Sequence, residues 1–386
     1  MFSRRIEAVN TSVLKQVLEL VKGGNVISFA GGVPSPELFP MDKLKELLNE
    51  AADDPFAFQY GSAIGMPELR SEIAHYMKRW DVKTSFKEIM ITHGSQQGID
   101  IIGRALINPG DVLIVEAPTY FVALNTFQVY EPVFEQVSLD EEGVVIEEFE
   151  ELVKNIENEG KRIKLFYTIS TFQNPTGITM SEERRKAVAE LAEEHDFLIV
   201  EDGPYSELRY RGKDIRPIKT FAPERTIYLG TFSKIFVPGF RIAWLIAPES
   251  LIDYFEVAKQ TADVCTNSFG QHVAWLFMKK GYLREQVEKL RRAYGPKMET
   301  MLDAIAEFMP EGVKWSEPDG GMFIWLTTGK DTDALLGDAV SRGVAYVPGS
   351  AFYAKAPAKN QMRLNFTLES ADRIQEGIRI LASLLS

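Results

Sequence analysis

The stretch TFSKIFVPGFR, residues 231–241, sets one lysine among hydroxyl groups and ahead of a glycine and an arginine. A lysine amine forms a Schiff base only from its neutral form, which its ordinary pKa of about 10.4 denies it near neutral pH unless the site lowers that value. Lys234 has neighbours suited to such a site. Thr231 and Ser233 can donate hydrogen bonds to a phosphate, Gly239 allows close backbone approach, and Arg241 carries a fixed cationic fork. Together these are parts that can hold pyridoxal 5'-phosphate. Taken alone, the segment is equally an ordinary turn after a strand.

The elements around it narrow the choice. Short apolar runs occur at 88–92, 111–116, 163–169, 196–202, 226–230 and 242–247, and most have the length and composition of buried strands. Amphipathic stretches at Gln96–Leu106 and Ser181–His195, the latter with Ser181 as a cap, predict intervening helices. Strand and helix in alternation imply an α/β fold, a mainly parallel sheet covered on both faces. The ends read differently. A short amphipathic helix is expected at 13–21, then an irregular Gly/Pro-rich loop at 28–40. A long charged helix from Gly281 to about Phe308 leads into an α+β tail with strands at 320–326 and 362–368. The expected division is a large domain at 45–285 and a smaller α+β domain built from both termini, 1–44 and 286–386.

Parallel sheets bind ligands at the carboxyl ends of their strands, so the residues just after each apolar run carry the most information. The first run is followed by Gly94, Ser95 and Gln96 at a helix start, where free N–H groups suit a phosphate. Next come Tyr120, an aromatic able to stack on a planar ring; Asn174 in FQNPTG; Asp202 and then Tyr205 in EDGPY; and finally Lys234. Singly, each has a plain structural explanation as a turn, cap, strand end or core aromatic. Their fall on one sheet edge, in an order that assembles one site, does not.

Composition sets the outer bounds. The chain has 386 residues, 45% hydrophobic and 25% charged, with a formal net charge of −12 and a pI near 5.1. This balance suits a globular protein of two domains and disfavours nucleic-acid or anionic-membrane partners. The one cysteine, Cys265, excludes an internal disulfide and fits a reducing cytoplasm. No membrane span, signal peptide or metal site is expected.

The combined motifs resemble those of fold-type I, pyridoxal-phosphate-dependent aminotransferases of class I/II, from SFAGGVP near the start to MRLNF near the end. The resemblance implies an aspartate-aminotransferase-like fold and a role for each matching residue. Lys234 matches the Schiff-base lysine and proton shuttle. Asp202 matches the partner of the pyridine nitrogen, and Tyr205 and Asn174 the pair on the cofactor's phenolic oxygen. Tyr120 matches the stacking residue. Gly94, Ser95, Gln96, Ser233 and Arg241 match the phosphate cradle. Arg363 corresponds to the arginine that grips the substrate α-carboxylate, and Gly31 and Gly32 to a loop that closes over substrate. Tyr60 corresponds to a residue reaching into a neighbouring subunit's site, which implies a homodimer with shared sites. The loop Asp263–Ser268 is a further candidate for exchange.

SFAGG, GSQQ, FQNPTG and VPGSAFY look most like the branch with 2-aminoadipate, kynurenine and aromatic aminotransferases. In the 2-aminoadipate enzyme a basic residue on the N-terminal helix receives the substrate's distal carboxylate. The corresponding position is Lys15, a point charge where arginine's fork would grip a carboxylate more specifically. Gly203 also departs from that branch, which often has a larger residue. The expected reaction is ping-pong transfer of an amino group from an amino acid of 2-aminoadipate, aromatic, leucine or glutamate type to a 2-oxo acid, 2-oxoglutarate. A β-lyase or decarboxylase would share every cofactor contact. A non-catalytic sensor would need a DNA-reading module ahead of the fold, and the roughly forty residues there lack basic clustering.

Overall fold

The computed structural model describes residues 2–7, 9 and 26–386. The expected helix at 13–21 and Lys15 lie outside the described residues. In chain order the strands are β1 (Ile27–Ser28), β2 (Ile89–His93), β3 (Val112–Ala117), β4 (Val133–Asp140), β5 (Gly143–Val144), β6 (Ile163–Thr168) and β7 (Leu198–Asp202). They continue with β8 (Thr226–Thr231), β9 (Ile242–Ile246), β10 (Lys314–Trp315), β11 (Phe323–Thr327), β12 (Val344–Ala345), β13 (Val347–Pro348) and β14 (Gln361–Asn365).

One eight-stranded sheet runs in the order β2-β9-β8-β7-β6-β3-β4-β5. Its centre, β8-β7-β6-β3-β4, is parallel throughout, while β9 runs antiparallel to both β2 and β8. This is the mainly parallel α/β sheet expected from the apolar runs. Its central strands β3, β6, β7 and β8 are buried nearly end to end because helices cover them: Glu182–Glu194 packs through Val188, Leu191 and Ala192, and Gly94–Leu106 through Ile99, Ile101 and Ile102. Ser181 caps the former, its side chain accepting from Arg184 N at 3.4 Å. Strand β4 was not foreseen. Its VFEQVSLD buries only Phe134 and Val137 and leaves the rest half-buried or exposed near the sheet edge, a pattern that a search for continuous apolar runs passes over.

The helix Tyr282–Phe308 leads to a second, antiparallel sheet, β10-β11-β14-β13. The chain's first described segment joins this part: β1 pairs in parallel with β12, and the loop that follows is tied down by Asn365 N to Phe29 O at 2.8 Å and Ser35 N to the Tyr294 hydroxyl at 2.9 Å. Residues more than 300 positions apart thereby meet beside the carboxyl ends of the large sheet. Among the described residues no helix is long and apolar enough to cross a membrane.

Candidate active site

A cavity of about 270 Å³ opens at those strand ends, lined by Asp202 at the end of β7, Thr231 at the end of β8 with Ser233 and Lys234 just beyond it, Asn174 from the loop after β6, and Arg363 from β14. Lys234 Nζ donates to the Gly32 carbonyl at 2.7 Å. Burial, then the positive charges of Arg241 and Arg363, lower its amine to about 8 against the opposing pull of Asp202. An amine with that value is neutral in a useful fraction near pH 7 to 8.

Asp202 is buried, and its Oδ2 accepts from the Tyr167 hydroxyl at 3.0 Å while Oδ1 has no partner. Burial raises the carboxyl to about 7, with Tyr167 and Lys234 opposing. A buried acceptor with one free oxygen is suited to a cationic N–H donor. Beyond it, Asn174 is shared between two groups. Its Nδ2 donates to the Tyr205 hydroxyl at 3.2 Å and its Oδ1 accepts from Arg363 Nη1 at 2.8 Å. The Asn174–Pro175 peptide is cis. Burial holds the Tyr205 phenol well above its ordinary value, so it stays protonated. Arg363 also donates through Nη2 to the Ala30 carbonyl at 2.8 Å, and its Nε is unpartnered. Its guanidinium lies 4.2 Å from the Phe323 ring centroid, and burial lowers it to about 10, still cationic at neutral pH.

The far end of the cavity is built to take an anion. Gly94 has φ +73°, and a Cβ there would lie 2.1 Å from Arg241 Nη2, so only glycine lets the guanidinium lie against the helix start. Arg241 Nη1 donates to Ser233 Oγ at 3.2 Å, which also receives the Thr231 hydroxyl at 3.1 Å. Ser95 Oγ is buried without a partner. With the N–H groups of Gly94–Leu106 these form a phosphate-sized cradle. Tyr120 lines the same cavity, and burial raises its phenol to about 12. An orphaned acid oxygen, an orphaned hydroxyl and a glycine-dependent arginine fit pyridoxal 5'-phosphate. Gln96 lines the wall, but its amide donates to Thr126.

A model of the family "Aminotransferase class I and II" matches residues 25–381. The chain belongs to this family. Over 99% of its length this aminotransferase is 49% identical to an aromatic-amino-acid aminotransferase of Thermococcus litoralis, covering 93% of that protein. It is 32% identical to a 2-aminoadipate transaminase of Thermus thermophilus, over 100% of this chain and 96% of the other. Among solved structures, a Pyrococcus horikoshii kynurenine aminotransferase, in complex with PMP and kynurenine, superposes with a TM-score of 0.96 at 47% identity, covering 100% and 96% of the two chains. The protein has the aspartate-aminotransferase-like fold and transfers amino groups.

Not every residue singled out in the sequence of this aminotransferase lies in the cavity. Gly32 lines it and Gly31 does not; a Cβ on Gly31 would lie 3.0 Å from Leu368. Tyr60 is 83% exposed on the outer surface. Asp263 bonds Lys259 and Gln97, outside the cavity. Gly203 has a physical reason to be small, since a Cβ would lie 2.4 Å from the Tyr228 hydroxyl. Conversely, Tyr167 was missed, because a tyrosine inside an apolar strand looks like core. Val33, Ile99, Phe121 and Val122, the apolar wall, were also missed. They sit on helices and loops where an apolar residue carries no distinct signal.

Proposed function

We propose that the aminotransferase takes its amino group from an amino acid with an aromatic or other apolar side chain and gives it to 2-oxoglutarate in two half-reactions. The observation that carries this is the set of apolar residues Val33, Ile99, Phe121 and Val122 that line the same cavity as Arg363. Among the described lining residues the cations are Lys234, Arg241 and Arg363, and each has a role that leaves none for a distal carboxylate. An apolar side chain gains by leaving water for such a wall. The names of relatives that act on aromatic amino acids and kynurenine support the same reading.

When bound, pyridoxal 5'-phosphate supplies an aldehyde for the amino group and a ring that withdraws electrons from the substrate carbon. Arg363 holds the substrate α-carboxylate, its fork steadied by Asn174 and Ala30. Lys234 Nζ, with its lowered basicity, would accept the proton leaving the substrate Cα and carry it until it is returned. Asp202, oriented by Tyr167, presents Oδ1 to the ring N–H and keeps it protonated. Tyr205 and Asn174 would hold the phenolic oxygen, and Tyr120 would supply an aromatic face for the ring. Ser95, Ser233 and Arg241 bind the phosphate, with Gly94 and Gln96 framing it. The apolar wall excludes water from the proton's path.

The reading extends to assembly. The large unit is 45–285 and the smaller one 1–44 with 286–386, in keeping with the eight-stranded sheet in the first and the four-stranded and two-stranded sheets in the second. The enzyme is a cytoplasmic homodimer in which Tyr60 enters the partner's site and Gly31 belongs to a closing loop. Phe56 and Tyr60 are 80% and 83% exposed, an apolar surface that suits another copy. Lys15 is a further substrate-binding residue. Mixing Tyr60→Ala and Lys234→Ala chains tests the sharing: hybrid dimers should regain one good site, and no recovery would count against it.

The donor is tested by adding single amino acids without acceptor and following the absorbance of the bound cofactor. Phenylalanine and tyrosine should react about tenfold faster than 2-aminoadipate or more, the preference expected of an apolar pocket facing a charged side chain. The opposite order would overturn the apolar reading, and ammonia release without acceptor would indicate a lyase.

A further inference from the structure

Glu116, at the end of β3, is 1% exposed and does not itself line the cavity. Its Oε2 accepts from the Gln173 side-chain amide at 3.0 Å and from Ile169 N at 3.3 Å, and its Oε1 accepts from the Thr168 hydroxyl. The same Gln173 nitrogen donates to the Pro118 carbonyl at 2.8 Å, while Gln173 Oε1 accepts from Thr176 N at 2.9 Å and Thr176 Oγ1 at 2.8 Å. The Gln173 backbone is held as well, its N–H on Ile178 O at 2.8 Å and its carbonyl receiving Gly177 N at 2.6 Å. Every polar group of the residue preceding Asn174 therefore has a partner.

A carboxylate at this depth is costly. Burial pushes Glu116 up to about 7 against the hydrogen bonds from Thr168, Gln173 and Ile169. An apolar side chain would avoid that cost, but it would leave a buried side-chain amide and a buried N–H short of an acceptor at the base of the loop. What the loop carries is Asn174, whose amide bonds both Arg363 and Tyr205. A side chain as short as asparagine cannot keep both bonds if its backbone shifts by a fraction of an ångström.

We propose that Glu116 is a positioning residue for amino transfer: through Gln173 it sets the place of the Asn174 amide, and so of the Arg363 guanidinium that grips the substrate carboxylate. This rests on the roles proposed above for Asn174 and Arg363. The effect is expected in carboxylate binding more than in the chemical step, because Lys234 and Asp202 are held by other contacts.

The test compares Glu116→Ala with Glu116→Gln in the holoenzyme. The glutamine keeps an acceptor oxygen for Gln173 and Ile169 and turns its amide toward Thr168 Oγ, which can accept. Glu116→Ala should weaken calorimetric binding of 3-phenylpropionate, a carboxylate with no amino group to react, by about tenfold. It should raise KM for both phenylalanine and 2-oxoglutarate by a similar factor, with kcat within about threefold. Glu116→Gln should restore binding to within about twofold. Gln173→Leu cuts the same link from the other side, should weaken binding to the same degree, and serves where Glu116→Ala fails to fold. Unchanged 3-phenylpropionate affinity in a folded Glu116→Ala or Gln173→Leu protein of normal cofactor content would overturn the proposal, as would failure of Glu116→Gln to restore it. A parent enzyme that transfers no amino group from any donor would overturn the reading on which the proposal rests, and the proposal with it.

Discussion

The two sides of the cavity are built in different ways. The cofactor side, with Asp202, Lys234 and Ser95, stands on strand ends and a helix start of one sheet: Tyr167 on the adjoining strand holds Asp202, Thr231 holds Ser233 two residues on, and only the Lys234 amine reaches across, to the Gly32 carbonyl. The substrate side is assembled from the chain's two extremes, with Arg363 on β14 bonded to the Ala30 carbonyl 333 positions earlier and to Asn174. One side is a rigid platform and the other a junction. Chemistry should depend on the first and substrate affinity on the second, and substitutions on each side can separate or merge these effects.

The largest effect is expected at Lys234. Lys234→Ala removes both the anchor and the proton carrier and should lower kcat on the order of 10⁴-fold, measured by 2-oxo acid formation from phenylalanine. The variant should still bind cofactor through Ser95, Ser233 and Arg241, yet borohydride should not fix it to the chain. A covalently fixed cofactor would assign the anchor to another lysine. In the parent apoprotein, borohydride-trapped capture should quicken as pH rises to about 8 and level off above it, since only the neutral amine attacks and Lys234 is lowered to that value. Arg363 contributes to that lowering. Removing it should therefore shift the limb to higher pH, a direct reading of how far the two sides are coupled.

On the substrate side, Arg363→Ala should raise KM for donor and acceptor alike by about hundredfold, the scale of removing one member of a buried charged pair. The kcat should fall much less, and cofactor content should stay normal. A fall in kcat equal to the rise in KM would mean that the junction also shapes the chemical step, and the division would fail. Arg363→Lys separates charge from geometry: it keeps the cation and loses the fork, so most of the loss should remain.

The same division explains what could be read from the chain. Asp202, Asn174 and Lys234 follow apolar runs, and a parallel sheet obliges such positions to share an edge, so local pattern was enough. Arg363 was marked only by resemblance, since nothing near MRLNF points to residues 30 or 174. Arg185 shows the limit of local reading. In EERRKAVAE it looks like a solvated helix charge, but it is fully buried, donating to Met180 O at 2.9 Å and to Ser170 O at 2.7 Å, and so pins the loop that carries Asn174. A helix's polar face is legible in its sequence; the loop that will be folded against it is not.

The smallest effect tests the platform itself. Tyr167 was hidden within β6, and its hydroxyl donates to Asp202 Oδ2. Tyr167→Phe keeps the ring and its edge-to-face contact with Phe127, centroids 5.7 Å apart, so the fold should be unchanged. Without the donor the Asp202 carboxyl loses an influence that lowers it, and it should titrate higher than in the parent. Below that higher value a larger share of Asp202 carries a proton and cannot hold the ring N–H. The kcat should therefore fall about fivefold at neutral pH, the scale of one hydrogen bond of about 1 kcal/mol. The deficit should widen as pH drops and narrow as pH rises, while KM for phenylalanine stays near the parent value. A deficit that is the same at every pH would mean that Tyr167 orients Asp202 without tuning its charge. A deficit confined to KM would place Tyr167 with the junction and remove the distinction between the two sides.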